Sequence, residues 1–316
     1  MARARGPPRW ARGALYEGDA MKHFLSALIA LFLAAPALAQ PNASPWSADI
    51  NDIRHVAAMI PGAKPTRINV VKFAESRRSK KFSIKGAADE PSIQARTAFQ
   101  LVYPDGTVMI DSGMDLQVRK FFGRGVEEPY FQDKADQVAK AVRAAKVIVM
   151  THEHGDHVAG VIRTPFFAEL APKSVLTKTQ VQTLMTEPQM PEIKLSADQA
   201  KRFIVVDYET YYPFAPGMAL IKAPGHTPGS QMIYVALQSG REYFFAGDAA
   251  WHMDGVRTVA GKDAPWITED TDKVNAELKW LNQLSQTEKN LTIVVSHDEE
   301  QRLAYIRQGL LGDGFQ

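Results

Sequence analysis

The segment Thr151-His152-Glu153-His154-Gly155-Asp156-His157 puts four side chains of metal-ligating type within six positions. His152 and His154 are two residues apart, so an extended backbone turns both to one side. Asp156 and His157 follow a glycine that lets the chain turn, and this adjacent pair can address a second point a few ångströms away. The spacing suits two metal ions side by side rather than one tetrahedral site. By composition alone, His-x-His-x-Asp-His would arise by accident in roughly three of ten thousand chains of this length. The chain has 8 histidines and no cysteine, which excludes disulfides, thiolate nucleophiles, zinc ribbons and iron–sulfur clusters. Imidazole and carboxylate donors without sulfur suit zinc, and also iron or manganese. Two such ions ~3.5–4 Å apart would hold a bridging water and lower its pKa from ~15.7 towards ~7, giving a hydroxide able to attack a carbonyl or phosphoryl centre.

The elements around this segment alternate between strand and helix. Val147 to Met150, directly before it, is a short apolar run that reads as a buried strand. Earlier strands are expected over 67–73, 80–84, 97–103 and 107–110, the last two flanking the turn Pro104-Asp105-Gly106. Phe131, Ala135, Val138 and Val142 share one helical face. A short helix is expected around Ile50 to Ile60. The second half repeats the theme, with strands over 203–206, 219–222, 232–236, 243–246 and 291–295. Helices there carry Val274, Leu278, Leu281 and Leu284, then Leu303, Ile306 and Leu310. Tyr211, Tyr212, Phe214 and Trp266 read as aromatic loop residues. One domain of two β-rich halves, each closed by helices, is the economical arrangement.

The N-terminal stretch has a different character. Residues 21–39 have a positive start at Lys22, an apolar run from Phe24 to Leu33 and a small-x-small site at Ala37-Leu38-Ala39. This is the pattern of a secretory signal peptide, and its run is short of the ~20 residues that span a bilayer. Residues 1–20, ahead of Met21, read as an over-extended start or an extension. Residues 40–66 form an N-terminal segment, and 67–316 the main domain. The 316-residue chain has 37 Lys/Arg and 35 Asp/Glu; residues 1–39 hold five and two of these, so the remaining 277 carry 32 and 33, a net charge of −1. That balance leaves no basic footprint for nucleic acid. The expected state is periplasmic or secreted, without a stable membrane anchor after cleavage, acting on a small molecule.

The sequence resembles the metallo-β-lactamase superfamily, whose hallmark is a His-x-His-x-Asp-His loop after a buried strand. Four further stretches follow in the family's order: Val108 to Gly113 with Asp111, Pro224 to Gly229 with His226, Phe245 to Asp248, and Val294 to Asp298 with His297. The resemblance implies an αββα four-layer sandwich, an α/β fold with two mixed sheets flanked by helices. It also implies two zinc ions, one on His152, His154 and His226 and one on Asp156, His157 and His297. Asp248 would bridge them, and Asp156 and Asp248 would be the catalytic carboxylates. Asp111 would either orient a ligand imidazole or cap the following turn. With no cysteine, the β-lactamases that use a cysteine ligand are excluded. The full bridging set resembles quorum-quenching lactonases and glyoxalase II-like hydroxyacylglutathione hydrolases, and Ser296-His297-Asp298 with Glu300-Gln301 looks most like the lactonases. One position departs: where those lactonases place a tyrosine three residues after the bridging aspartate, this chain has Trp251, followed by His252. Both are candidates for the substrate pocket, His252 with a surface loop as its other reading. The expectation is an exported dinuclear-zinc hydrolase in which the bridging hydroxide opens a small ester, lactone or similar acyl substrate. The alternatives are a cysteine-free metallo-β-lactamase, a thioesterase and an iron-dependent persulfide dioxygenase.

Overall fold

The computed structural model describes residues 46–316. The signal peptide expected over 21–39 and the extension over 1–20 lie outside the described residues. The chain from Trp46 onward belongs to one compact unit.

Twelve strands of the described residues form two mixed sheets. The first sheet holds β1 (Arg67–Ser79), β2 (Pro91–Tyr103), β3 (Gly106–Ile110), β4 (Val147–Val149), β5 (Ser174–Thr177) and β6 (Ile204–Val206) in chain order. The second holds β7 (Tyr211–Ala215), β8 (Met218–Lys222), β9 (Gln231–Ala236), β10 (Glu242–Phe245) and β11 (Leu291–Val294). The last strand, β12 (Gly312–Asp313), returns to the first sheet and pairs parallel with β1. Antiparallel pairing joins β1 to β2 and β2 to β3, and parallel pairing continues through β4, β5 and β6. In the second sheet β7 to β10 are antiparallel, and β11 is parallel to β10.

The burial pattern explains the four layers. Ile68, Val70, Leu101, Ile110 and Val149 from the first sheet meet Leu220, Ile233, Val235, Phe245 and Val294 from the second in a dry central layer. Each sheet buries its other face under helices, so its strands are apolar on both sides. Helix Gln132–Ala144 places Val138, Ala141 and Val142 on the first sheet, as its 3.6-residue period requires. Helices Ile50–Ala57 and Thr271–Thr287 cover the second, through Ile53, Leu278 and Leu281. Their starts are fixed by side-chain caps: Asp49 accepts from the amide of Asn51, and Asp270 from that of Lys273.

Three sequence expectations need correction. Residues 80–84 are not a strand: Lys80–Phe82 is a 3-10 turn after β1, which itself runs to Ser79. The aromatic residues Tyr211 to Phe214 are not loop; they form the edge strand β7, pairing with β8. The last helix, Glu299–Arg307, stops before Leu310. No helix of the described residues is long and apolar enough to cross a membrane.

Candidate metal centre

The loops at one end of both sheets converge. The first sheet supplies the segment after β4. There His154 holds an extended backbone and sits at the start of helix Gly155–Ile162, whose first turn carries Asp156 and His157. The second sheet supplies His226 after β8, Asp248 after β10 and His297 after β11. Gly247, at φ 55°, makes the left-handed turn that aims Asp248 inward. All seven residues are buried or nearly so. Their donor atoms form three overlapping groups, each within 4.8 Å: His152, His154 and His226; His152, His157 and Asp248; Asp156, His157 and His297.

The hydrogen bonds fix which ring nitrogen faces inward. His157 donates its Nδ1 proton to Asp111 Oδ2 at 2.7 Å, His226 its own to Glu269 Oε2 at 3.1 Å, and His297 to the Ala95 carbonyl at 2.7 Å. Thr151 Oγ1 lies 2.9 Å from Asp111 Oδ2, which can only accept, so the hydroxyl donates there and its lone pair takes the Nδ1 proton of His152 at 3.1 Å. Each of these four rings therefore turns its Nε2 toward the centre. Inward atoms that carry lone pairs face one another: His226 Nε2 and Asp248 Oδ2 at 3.5 Å, and His152 Nε2 and Asp248 Oδ2 at 3.8 Å, with His154 Nδ1 3.1 Å from His226 Nε2. Lone pairs at such distances repel unless a cation lies between them. Two donors each ~2.1 Å from one tetrahedral ion lie about 3.4 Å apart, matching these separations. His152 Nε2, His157 Nε2 and Asp248 Oδ1 are buried with no hydrogen-bond partner, a state that buried polar atoms rarely tolerate. The residues fit a divalent cation.

Electrostatics set one ring apart from the others: against the pull of burial, the carboxylates of Asp156 and Asp111 hold His157 well above its ordinary pKa, so a metal ion at its Nε2 must displace a proton. Burial, aided by the neighbouring imidazole of His157, holds the His152 ring well below its ordinary pKa, and burial beside His226 lowers His154 to about 3. Burial alone would raise the two aspartates. The imidazoles of His297, His152 and His157 instead hold Asp248 well below the carboxylate range, and His157 and Arg96 do the same for Asp156. Five rings turned inward and two ionised carboxylates form a donor set of the kind that a metal ion requires of its ligands.

Residues that the sequence reading did not single out hold this arrangement. Glu269, 43 positions from His226, orients that imidazole. Glu269 pairs in turn with Lys262 at 3.0 Å, and the same ammonium donates to the Asp248 carbonyl at 2.7 Å. Glu153, the residue between the two histidines of the loop, accepts from Thr227 Oγ1 at 2.9 Å and from the Gly229 amide at 3.2 Å, tying the first sheet's loop to the second's. Glu277 accepts from the Gly225 amide at 2.9 Å, and a Cβ at Gly225 would lie 2.6 Å from its Oε2. Arg96, on β2, donates from Nη1 to Asp156 Oδ2 at 2.5 Å and to His297 Nε2 at 3.1 Å. Arg96 falls one position before the strand expected over 97–103 and offers no signal in the sequence.

Asp111 does not cap the turn that follows it; its carboxylate contacts are to His157 and Thr151. It orients His157 directly and His152 through Thr151, and its Oδ1 accepts from the Thr151 amide at 2.7 Å. It does so at φ 63°, a backbone that costs a non-glycine residue of order 1 kcal/mol or more. Trp251 reaches the cavity wall, but its indole N–H is committed to Asp248 Oδ2 at 2.8 Å. His252 is neither in the pocket nor on the surface. It is buried, and its Nδ1 accepts from the Asp254 amide as the cap of helix Met253–Thr258.

A cavity of about 690 Å³ opens over His154, Asp156, His226 and Asp248. Phe121, Phe122, Trp266 and Ile267 form an apolar wall, and Thr179, Gln182, Thr183 and Gln189 a polar one. Segments 112–130 and 186–200 line it, together with helix Lys178–Thr186.

Residues 96–297 match the family model described as the metallo-beta-lactamase superfamily. The chain belongs to that superfamily. An N-acyl homoserine lactonase from a Bacillus species is 24% identical over 157 residues, 49% of this chain and 56% of that relative. One from Bacillus thuringiensis is 22% identical over 157 residues, with the same coverage. The chain thus spans about half the length of the curated relatives it matches. An N-acyl homoserine lactone hydrolase solved with its product at the catalytic metal centre superposes with a TM-score of 0.60 at 18% identity, covering 76% of this chain and 96% of that one. A dizinc quorum-quenching lactonase gives 0.55 at 16%, covering 75% and 89%. These likenesses establish the metallo-β-lactamase fold, with its two mixed sheets flanked by helices.

Proposed function

We propose that the chain is an exported metal-dependent hydrolase that opens a small ester, lactone or similar acyl substrate with the help of two zinc ions. The observation that carries this reading is the set of inward-facing imidazole nitrogens around two buried carboxylates at the floor of an open cavity. The lactonase relatives support the acyl substrate, and the leader-like residues 21–39 support export. Bound there, divalent cations would polarise an acyl oxygen and acidify water at neutral pH.

The chain's own residues supply the rest. Held ionised, Asp156 and Asp248 balance the cationic charge and are acceptors rather than donors of protons. The Trp251 indole fixes the rotation of Asp248 and is not free to hold a substrate carbonyl, so that contact falls to another group in the cavity. The wall of Phe121, Phe122 and Trp266 offers an acyl chain or ring a dry surface, and the open mouth admits a substrate of moderate size.

One experiment tests the reading. The purified protein is assayed against a lactone, a chromogenic cephalosporin, a thioester and a phosphodiester, with and without chelator. Lactone hydrolysis that chelator abolishes and zinc restores is expected, with His152→Ala lacking it. Full activity of His152→Ala, or hydrolysis indifferent to chelator, overturns the reading. Preference for the cephalosporin or thioester reassigns the substrate and leaves the metal chemistry standing.

A further inference from the structure

The two candidate metal positions are not equivalent, because one already has a cation beside it. The side chain of Arg96 is buried, and its Nη1 lies 2.5 Å from Asp156 Oδ2 and 3.1 Å from His297 Nε2. Phe122 lies against the guanidinium, with the ring centre 4.9 Å from Cζ, and Ser76 Oγ accepts from Nη2 at 3.4 Å. The Nε of Arg96 is buried without a partner. Among these contacts the one to His297 is decisive. The Nδ1 proton of His297 is committed to the Ala95 carbonyl, so its Nε2 has one lone pair, and the structure gives that lone pair to Arg96. A lone pair that accepts an N–H cannot at the same time bind a metal ion. Asp156 Oδ2, which faces His157 Nε2 at 3.5 Å and His297 Nε2 at 3.7 Å, has a second lone pair and can keep its bond to Arg96 beside an ion. Around His152, His154 and His226 no guanidinium or ammonium makes a comparable contact among the described residues.

We infer that Arg96 is a resident cation of the second metal position. It holds Asp156 and His297 in ligand geometry before an ion arrives and must give up His297 when one binds. This inference rests on the metal-dependent reading above. The chain then takes its first ion at His152, His154 and His226, and its second only in competition with the guanidinium. The cavity beside Arg96 gives the displaced side chain somewhere to go. Loading of the second position therefore follows metal supply, and the partly loaded form is a distinct, stable species rather than a damaged one.

The test is metal uptake rather than turnover. The protein is dialysed against buffered free zinc over a wide range, and bound zinc per chain is measured by elemental analysis. For the wild type, a first equivalent and a second that binds at least tenfold more weakly are expected. Arg96→Met removes the charge at similar length, and Arg96→Gln removes it while keeping a donor for Asp156. Each is expected to tighten the second equivalent at least tenfold and leave the first within threefold. Either variant alone suffices if the other fails to fold. Two equivalents of equal affinity in the wild type, or an unchanged second equivalent in the folded variants, overturn the role of Arg96 and leave the hydrolase reading intact. No zinc uptake by any of the proteins overturns both.

Discussion

Replacing Glu277 by Gln should make the protein more stable at alkaline pH while leaving the shape of the site intact. Glu277 is completely buried on helix Thr271–Thr287, where one carboxylate oxygen accepts from the Gly225 amide and the other has no partner. Burial pushes its pKa from 4.5 up to about 8, against the pull of Lys262 and with Glu269 and Asp270 adding to it. Between these two values the folded chain holds a proton that the unfolded chain releases. The stabilisation is fully present below about pH 4.5 and is lost as pH rises through about 8. At about 1.4 kcal/mol per unit, the full span amounts to about 5 kcal/mol. The amide of Gln keeps an oxygen for Gly225 and cannot ionise, so it imitates the protonated acid. Urea unfolding of wild type and variant at matched pH and matched zinc gives the difference in stability, from which all other titrating groups cancel. That difference should favour the variant increasingly from pH 5 to 8 and level off above. A difference that stays flat within about 0.5 kcal/mol, or that runs the other way, refutes the buried-proton argument.

Three other outcomes follow from particular contacts. Asp111→Asn removes a carboxylate that fixes His157 and, through Thr151, His152; zinc affinity, measured by competition with a chelator, should fall by about 10–100-fold. Trp251→Phe keeps the ring and deletes the indole donor to Asp248; zinc content should hold while kcat on the preferred substrate falls by about tenfold, the value of a charge-assisted hydrogen bond. Unchanged kcat would free Trp251 from any positioning role. Gly160→Ala sets a Cβ 2.0 Å from the Ser112 carbonyl oxygen, where helix Gly155–Ile162 crosses the loop after β3; a loss of about 3 kcal/mol and of roughly 5–10 °C in melting temperature is expected in calorimetry.

What the sequence revealed was local, and what it concealed was tertiary. The loop from His152 to His157 is legible because its residues are neighbours and their types are rare. The strands leading to Asp248 and His297 are legible because Tyr243 to Phe245 and Leu291 to Val294 are short apolar runs, the pattern of a strand buried on both faces. Lys80–Phe82 misleads because residues 80–84 have strand-like composition at a point where the chain must turn from β1 toward β2. His252 misleads for the opposite reason: being next to Trp251 in the chain suggests a shared cavity, but successive residues point different ways and the ring turns back to cap a helix. Glu269, Lys262 and Glu277 leave no trace in the sequence because their partners lie 43, 14 and 52 positions away. Orientation of a ligand ring is a property of the packed chain, and periodicity does not encode it.

The donor atoms come from both sheets, four residues after β4 and three from the loops after β8, β10 and β11. An ion held between them would therefore act as a rivet across the central seam. Its binding would add to the folding free energy by mass action, so zinc supply would set the lifetime of the fold as well as its activity. Proteolysis along a chelator series would read this directly: cleavage should begin in the loops after β4 and β8, where the two halves part first.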